Sequence, residues 1–279
     1  MKKSRKWVKT LLIFSFVILL NVPILIMLNT SLQTYEQTLQ WPPQFFRMPL
    51  QWGNFIEVLN GDFSVIKPLL NSIIVSVSTM LICTLVALFA AYALSNFDFK
   101  GRKWLLYTIL VMQMLSPVLL ANPLYAIFNR LGLLDSLFAL IIANTASSLP
   151  MSIWMMYTYL AQVPSYLEEA ARLDGANRFE SLIKIILPTA MPGVITVGIF
   201  AFIAAWGDVV FARMAIFTKE LRPISMALMD FESLYKTSWE LQMAASTLSV
   251  LPIFILFLYV QKYLGRSLAT AGGLSLIHI

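Results

Sequence analysis

Six charge-free apolar runs of about 20 residues constrain this chain more than anything else in it, because a helix of that length crosses the roughly 30 Å hydrocarbon core of a bilayer. They cover about 10–28, 69–94, 104–128, 137–160, 185–206 and 243–260. Of the 279 residues 59% are hydrophobic and only 12% charged, a balance far from that of a soluble domain. The lipid bilayer is the expected solvent. The expected fold is all-α, a polytopic membrane protein with six transmembrane helices in a single domain spanning 1–279. No internal repeat, low-complexity tract or long linker divides it.

The first run follows a basic start, as a signal peptide does. It is long, however, contains Asn21 and Pro23, and leads into Asn29-Thr30-Ser31 in place of a small-residue cleavage site, so it reads as a retained span. With the N-terminus inside, thirteen of the 20 Lys and Arg fall on the inner side and seven on the other. Positively charged loops stay in the cytoplasm, which puts both termini and the polar segment 161–184 there. The net charge of +6 lies beside apolar spans, not on a basic domain with interleaved aromatics. That distribution suits anionic headgroups and gives no reason to expect nucleic acid.

Several chemistries have no material here. Cys83 has no partner cysteine and His278 is the one histidine, so neither metal clusters nor His-based triads are available. No G-x-x-x-x-G-K-[ST] occurs, so no ATP is bound through a P-loop, and any ATP hydrolysis coupled to this chain belongs to a partner. A multi-pass membrane enzyme would need acid, base or metal-binding groups clustered near one membrane face, and none stands out. A passive channel stays open as an alternative.

The polar segment between the fourth and fifth runs reads as a short helix. Pro164-Ser165 opens it, with Ser165 as N-cap and Glu168 three residues on, the pattern of a capping box. Gly175 suits the left-handed turn just past its end. On it Leu167, Ala170, Ala171 and, less squarely, Asp174 share a narrow, small-residued face fit to enter a cleft, and Glu168 and Arg172 form an i, i+4 pair. About ten residues of helix do not hold together alone in water, so a partner or the bilayer surface is expected. The chain then passes Phe179, Ile183 and Ile186 to Pro188, which reads as opening the fifth span, so that short helix and long span would move as one lever. The plainer alternative is an amphipathic loop helix lying on the membrane.

The spacing of this segment is Glu169-Ala170-Ala171, three residues, Gly175, nine residues, Ile185, one residue, Leu187-Pro188. It resembles the EAA loop of membrane permeases in ATP-binding-cassette importers. The run EAARLDGAN at 169–177 is similar to the carbohydrate branch of that family, as are Asn71-Ser72, Ala91-Tyr92-Ala93, Gly132-Leu133-Leu134-Asp135 and Pro192-Gly193. The likeness covers most of the chain and is strongest to the smaller, six-span subunit of maltose-type importers. It implies a permease in the plasma (inner) membrane of a prokaryote that pairs with a second permease subunit as a heterodimer. It also implies two cytoplasmic ATPase subunits, which bind the ATP and Mg, and an extracytoplasmic solute-binding protein; no cofactor belongs to this chain. The segment 165–177 would be the coupling helix, with Glu169, Ala170, Ala171, Asp174, Gly175, Ile185, Leu187 and Pro188 passing on the movement of the ATPase. A sugar or oligosaccharide is the implied solute, with glycerophosphate or a polyamine as alternatives.

Two departures stand out: Trp206-Gly207-Asp208 where the family usually reads Trp-Asn, and the last six residues, where relatives often finish Gly-Ala-Val-Lys-Gly.

For the solute pathway the sequence offers polar groups inside spans, which are costly and tend to face a cavity or a neighbour. Gln113, Ser116, Asn122, Asn144, Thr145 and Ser148 qualify, with Tyr125 and Trp154 able to stack on sugar rings. Alternatively these groups bond their own backbone, hold spans together or sit in the interfacial belts. Pro117, Pro123 and Pro150 are expected to interrupt the third and fourth spans, as broken or merely kinked helices. The outer loops, about 29–68 and 207–241, are long enough to touch a solute-binding protein.

Overall fold

The computed structural model describes residues 2–42, 45, 48–61, 64–232 and 237–274, with side chains at the same positions except 2–9, 165 and 262–274. His278 and the basic side chains at residues 2–9, 262 and 266 that enter the orientation count therefore lie outside the described residues.

The helices in chain order are α1 (Lys2–Ser31), α2 (Tyr35–Thr38), α3 (Gly53–Asn60), α4 (Ile66–Asn96), α5 (Arg102–Met112), α6 (Pro117–Leu131) and α7 (Leu137–Leu160). They continue with α8 (Ser165–Leu173), α9 (Arg178–Ser181), a π-helical turn at Leu182–Ile186, α10 (Leu187–Thr189) and α11 (Met191–Trp206). The last are α12 (Val210–Ala215), α13 (Ile224–Ala227) and α14 (Trp239–Leu274). Among the described residues four stretches are long and apolar enough to cross a membrane: α1 from Thr10, α4, α7, and α14 as far as Gln261. Two bent pairs bring the number to six if each pair is one span: α5 with α6, at 97°, and Arg178–Thr189 with α11, at 80°.

The third apolar run is interrupted at Pro117, as expected: its break falls at residues 113–116, where Ser116 caps α6 and Pro117 takes its first position. Proline fits there because its missing N–H would be unpaired anyway. Pro123 and Pro150, by contrast, lie inside continuous helices. The fifth run turns at Ala190, so Pro188 does not open the span but sits before the corner.

Contacts gather the chain into two compact units, each taken by itself. In the first, residues 1–66 with 227–252, the end of α1 is held by side chains: Asn54 Nδ2 donates to the carbonyls of Ser31 at 2.9 Å and Gln33 at 2.8 Å, while Thr34 and Gln37 form a reciprocal capping box at α2. The apolar side chains of α1 from Leu11 to Leu20 are exposed all round, as suits a helix bathed in lipid.

The second unit, residues 67–226 with 253–279, has two clusters of buried side chains, and α7 runs through both. At its N-terminal half Ala139, Leu140 and Ala143 pack with Val75 of α4, Phe128 of α6 and Phe211, Ala212 and Ala215 of α12. At its other half Met156 and Leu160 pack with Ala87, Leu88 and Ala91 of α4, Leu182 and Ile186 of the π turn, and Val197 of α11. The alanines let the helices approach closely, which in a bilayer replaces the hydrophobic drive available in water. Gly193 takes this furthest: a Cβ there would lie 2.4 Å from Cγ of Tyr159.

Three side-chain ties fix the ends of these helices, and each falls on a stretch that carried the family likeness. Asn71 Nδ2 donates to the carbonyls of Glu220 at 2.8 Å and Arg222 at 3.1 Å, and Ser72 Oγ accepts from the Ile224 amide at 2.8 Å. Gly132 ends α6 at φ 65°, the left-handed region where glycine meets no Cβ penalty. Asp135, itself at φ 57°, accepts from the amides of Phe217 and Thr218, both at 2.9 Å, and from the Thr218 hydroxyl. These bonds hold the Asp135 carboxyl below its ordinary value of 3.8.

Candidate coupling site

The segment after α7 folds as a helix, a turn and a second helical start. Pro164 precedes the first turn of α8 and offers no side-chain cap, which corrects the expected capping box; the Ser165 side chain lies outside the described residues. The other end follows expectation. Gly175 stands at φ 90°, its amide donates to the Arg172 carbonyl at 3.1 Å, and the Ala176 amide reaches the Ala171 carbonyl at 3.0 Å. This pair of bonds is the Schellman closure of a helix end. Two residues later Asn177 and Glu180 exchange hydrogen bonds in a capping box that starts α9.

Glu168 is neither a cap nor, in its hydrogen bonds, a partner of Arg172. Its Oε1 accepts from the Tyr92 hydroxyl at 3.0 Å and its Oε2 accepts from Asn96 Nδ2, both on the last turns of α4. This tether, with Ala171 buried at 4% exposure, decides which face of α8 is free. The expected face of Leu167, Ala170, Ala171 and Asp174 is rotated: Leu167 is half-buried and Ala171 points inward. The free face carries Tyr166, Glu169, Ala170 and Leu173, with Asp174 and Gly175 exposed beside it. Leu173 is 89% exposed, unusual for a leucine in so short a helix. The helical wheel alone does not choose between these adjacent faces, so Tyr166 and Leu173 escape the sequence reading.

Beyond Gly175 the motif residues divide by depth. Ile185 and Leu187 are half-buried and Pro188 is exposed, while Leu182 and Ile186, outside the motif, are the fully packed ones. A cavity of about 560 Å³ lies behind α8, lined by Ser95, Asn96, Glu168, Arg172 and Arg178 among others.

Asn144 and Ser148 are buried and line a cavity of about 290 Å³ with Pro117, Gly207 and Asp208. Gln113, Ser116, Asn122 and Tyr125 are exposed, the first two at the corner between α5 and α6 and the other two on α6. Asp208, the departure from the family pattern, accepts from the amides of Phe211 at 3.0 Å and Ala212 at 3.2 Å and from Asn144 Nδ2 at 3.3 Å. It starts α12 and ties it to α7. Trp154 stands 6.1 Å from the Tyr157 ring and Thr145 is half-buried. Among the described residues no group of three or more His, Cys, Asp and Glu is placed to hold a metal ion.

Residues 83–270 match the family described as "Binding-protein-dependent transport system inner membrane component". The chain is similar to the probable ABC transporter permease protein YurM of Bacillus subtilis, 33% identical over 97% of this chain and 91% of that one. It is also similar to the trehalose/maltose transport system permease protein MalG of Thermococcus litoralis, 34% identical over 79% and 80% of the two chains. Among solved structures, one chain of a bacterial ABC transporter involved in the import of the acidic polysaccharide alginate shares the fold with a TM-score of 0.78 at 23% identity, covering 94% of this chain and 96% of that one.

Proposed function

This chain belongs to the family of inner membrane components of binding-protein-dependent transport systems, and from that premise we propose that it carries a sugar or oligosaccharide into the cytoplasm as the permease subunit of an ATP-driven importer. In this reading its partners are a second permease subunit, two cytoplasmic ATPase subunits that bind and hydrolyse ATP, and an extracytoplasmic solute-binding protein. The termini and the loop holding α8 face the cytoplasm.

The observation that carries the coupling role is the free face of α8. A short helix closed at Gly175 presents Tyr166, Glu169, Ala170 and Leu173 outward, while Glu168 and Ala171 fix its back to the rest of the unit. An exposed leucine and tyrosine around a small alanine suit a cleft in a partner, with the aromatic and aliphatic groups as anchors. Closing of the ATPase subunits on ATP would move α8, and the spans would follow. The sugar reading rests on relatives whose names specify trehalose/maltose and diacetylchitobiose.

Affinity capture tests the proposal. The tagged chain, purified from a host expressing the neighbouring transport genes, should bring down a P-loop ATPase, and Leu173→Asp should weaken that capture roughly tenfold or more at unchanged membrane abundance. Equal capture by both would remove α8 as the docking element. Mass spectrometry of the solute released from the binding protein should find a sugar; a polyamine or glycerophosphate would redirect the substrate assignment.

A further inference from the structure

The chain from α8 to α11 is not the straight connection that its sequence suggests. Between α8 and α11 the backbone reverses at Gly175 with φ 90°, passes through a π turn at Leu182–Ile186 and bends by 80° at Ala190. Each break interrupts the regular i to i−4 ladder that would make the connection a stiff rod. A straight lever from α8 into α11 does not exist.

A second connection does. The Tyr92 hydroxyl has one proton, and Glu168 at 3.0 Å is nearer than the Arg178 carbonyl at 3.4 Å. Asn96 grips the other carboxylate oxygen, and Ser95 Oγ, 2.6 Å from Asn96 Oδ1, donates to that amide and holds it in place. From the far side of the loop the Arg178 guanidinium lies 4.4 Å over the Phe97 ring, which meets Tyr92 edge-on at 6.2 Å. The Tyr92 ring is buried in the cluster that joins α4, α7 and the π turn. Both ends of the loop are thus fastened near the end of α4, Glu168 to Tyr92 and Asn96 on its last turns and Arg178 to Phe97 just past them. Hydrogen bonds to a carboxylate in partly buried surroundings are stronger than neutral ones.

We infer that Tyr92 and Asn96 with Glu168 form the mechanical joint through which displacement of α8 is passed to α4. Glu168, outside the EAA spacing, is the positioning residue of that joint. The proposal rests on the coupling role of α8 and adds the element that follows it.

Hydrogen–deuterium exchange of the intact transporter, co-purified with its ATPase in nanodiscs, provides the test. Trapping the ATPase with ADP and vanadate should change exchange in residues 165–176 and also in 92–99 of the unmodified complex. In Tyr92→Phe, which keeps the buried ring, the change in 165–176 should persist while that in 92–99 falls roughly tenfold. Glu168→Ala should behave the same way, and Tyr92→Phe with Glu168→Ala should be no worse than either alone. A trapping response in 92–99 that is absent from the unmodified complex, or that stays undiminished in both variants, overturns the joint. Absence of any response in 165–176 counts instead against α8 as the ATPase contact, which separates the two readings.

Discussion

The Asn144 amide donates to the Asp208 carboxylate at 3.3 Å, joining the middle of α7 to the residue that starts α12, 64 positions away. Asp208 also receives the amides of Phe211 and Ala212. Asp208→Ala therefore removes the acceptor of three hydrogen bonds and should cost about 2–3 kcal/mol, whereas Asn144→Ala removes two bonds, to Asp208 and to the Leu140 carbonyl, and should cost about 1–2 kcal/mol. Thermal unfolding in detergent measures both. The double variant should lose less than the sum, since the two residues share a bond. Strict additivity would mean that the pair is not coupled.

Gly193→Ala should destabilise by about 1–3 kcal/mol, the usual penalty of overpacking. The new Cβ meets Cγ and Cβ of Tyr159, the rigid base of that side chain and not its movable end, so α7 and α11 must part. Gly53→Ala serves as the control, having nothing within 4 Å of its Cβ. The difference in denaturant midpoint between the two variants reports the packing.

Asp135 sets an acid limit on one loop. Its carboxyl is held low by the Thr218 hydroxyl and then by the amides of Thr218 and Phe217. A depressed carboxylate contributes stability that is present above its unfolded value and is lost as the pH falls through its folded one. The loop at 216–218 should therefore loosen below about pH 3.8, seen as faster exchange of the Phe217 and Thr218 amides. Asp135→Asn should show fast exchange of those amides already at neutral pH, and an unchanged rate would refute the assignment.

Under the coupling role proposed for α8, Gly175→Val should cut ATP-driven solute uptake while the protein still reaches the membrane. No neighbour crowds position 175, so the effect comes from backbone conformation: at φ 90° a β-branched residue is strained by roughly 1–2 kcal/mol or more. Gly175→Asn should be milder, because asparagine tolerates positive φ. Identical uptake in both variants and the parent would show that the turn is not needed for coupling.

The six apolar runs are legible because hydropathy is a local property of about 20 consecutive residues. The corners within two of them are not. Pro117 looks the same in a sequence whether it kinks a helix or begins one, and Pro150 shows that an internal proline leaves α7 continuous. The EAA segment was legible in its helix and in its Gly175 stop, both local. Its orientation was not, because Glu168 satisfies the local S-x-x-E pattern on paper yet spends its oxygens on residues 76 and 72 positions away. The roles of Asn71, Ser72 and Asp135 share that obstacle: each short polar signature is completed by backbone groups 80 or more positions downstream.

The corner between α5 and α6 carries a requirement about what surrounds it. Helices of 11 and 15 residues reach only about 16 and 22 Å, so neither crosses the hydrocarbon alone. Around residues 113–116 the i to i−4 ladder is interrupted, and Gln113 and Ser116 are exposed there. Acyl chains can neither donate nor accept a hydrogen bond. Wherever that corner sits within the bilayer, its neighbours are water or another polypeptide, and this part of the chain completes its solvation only in company.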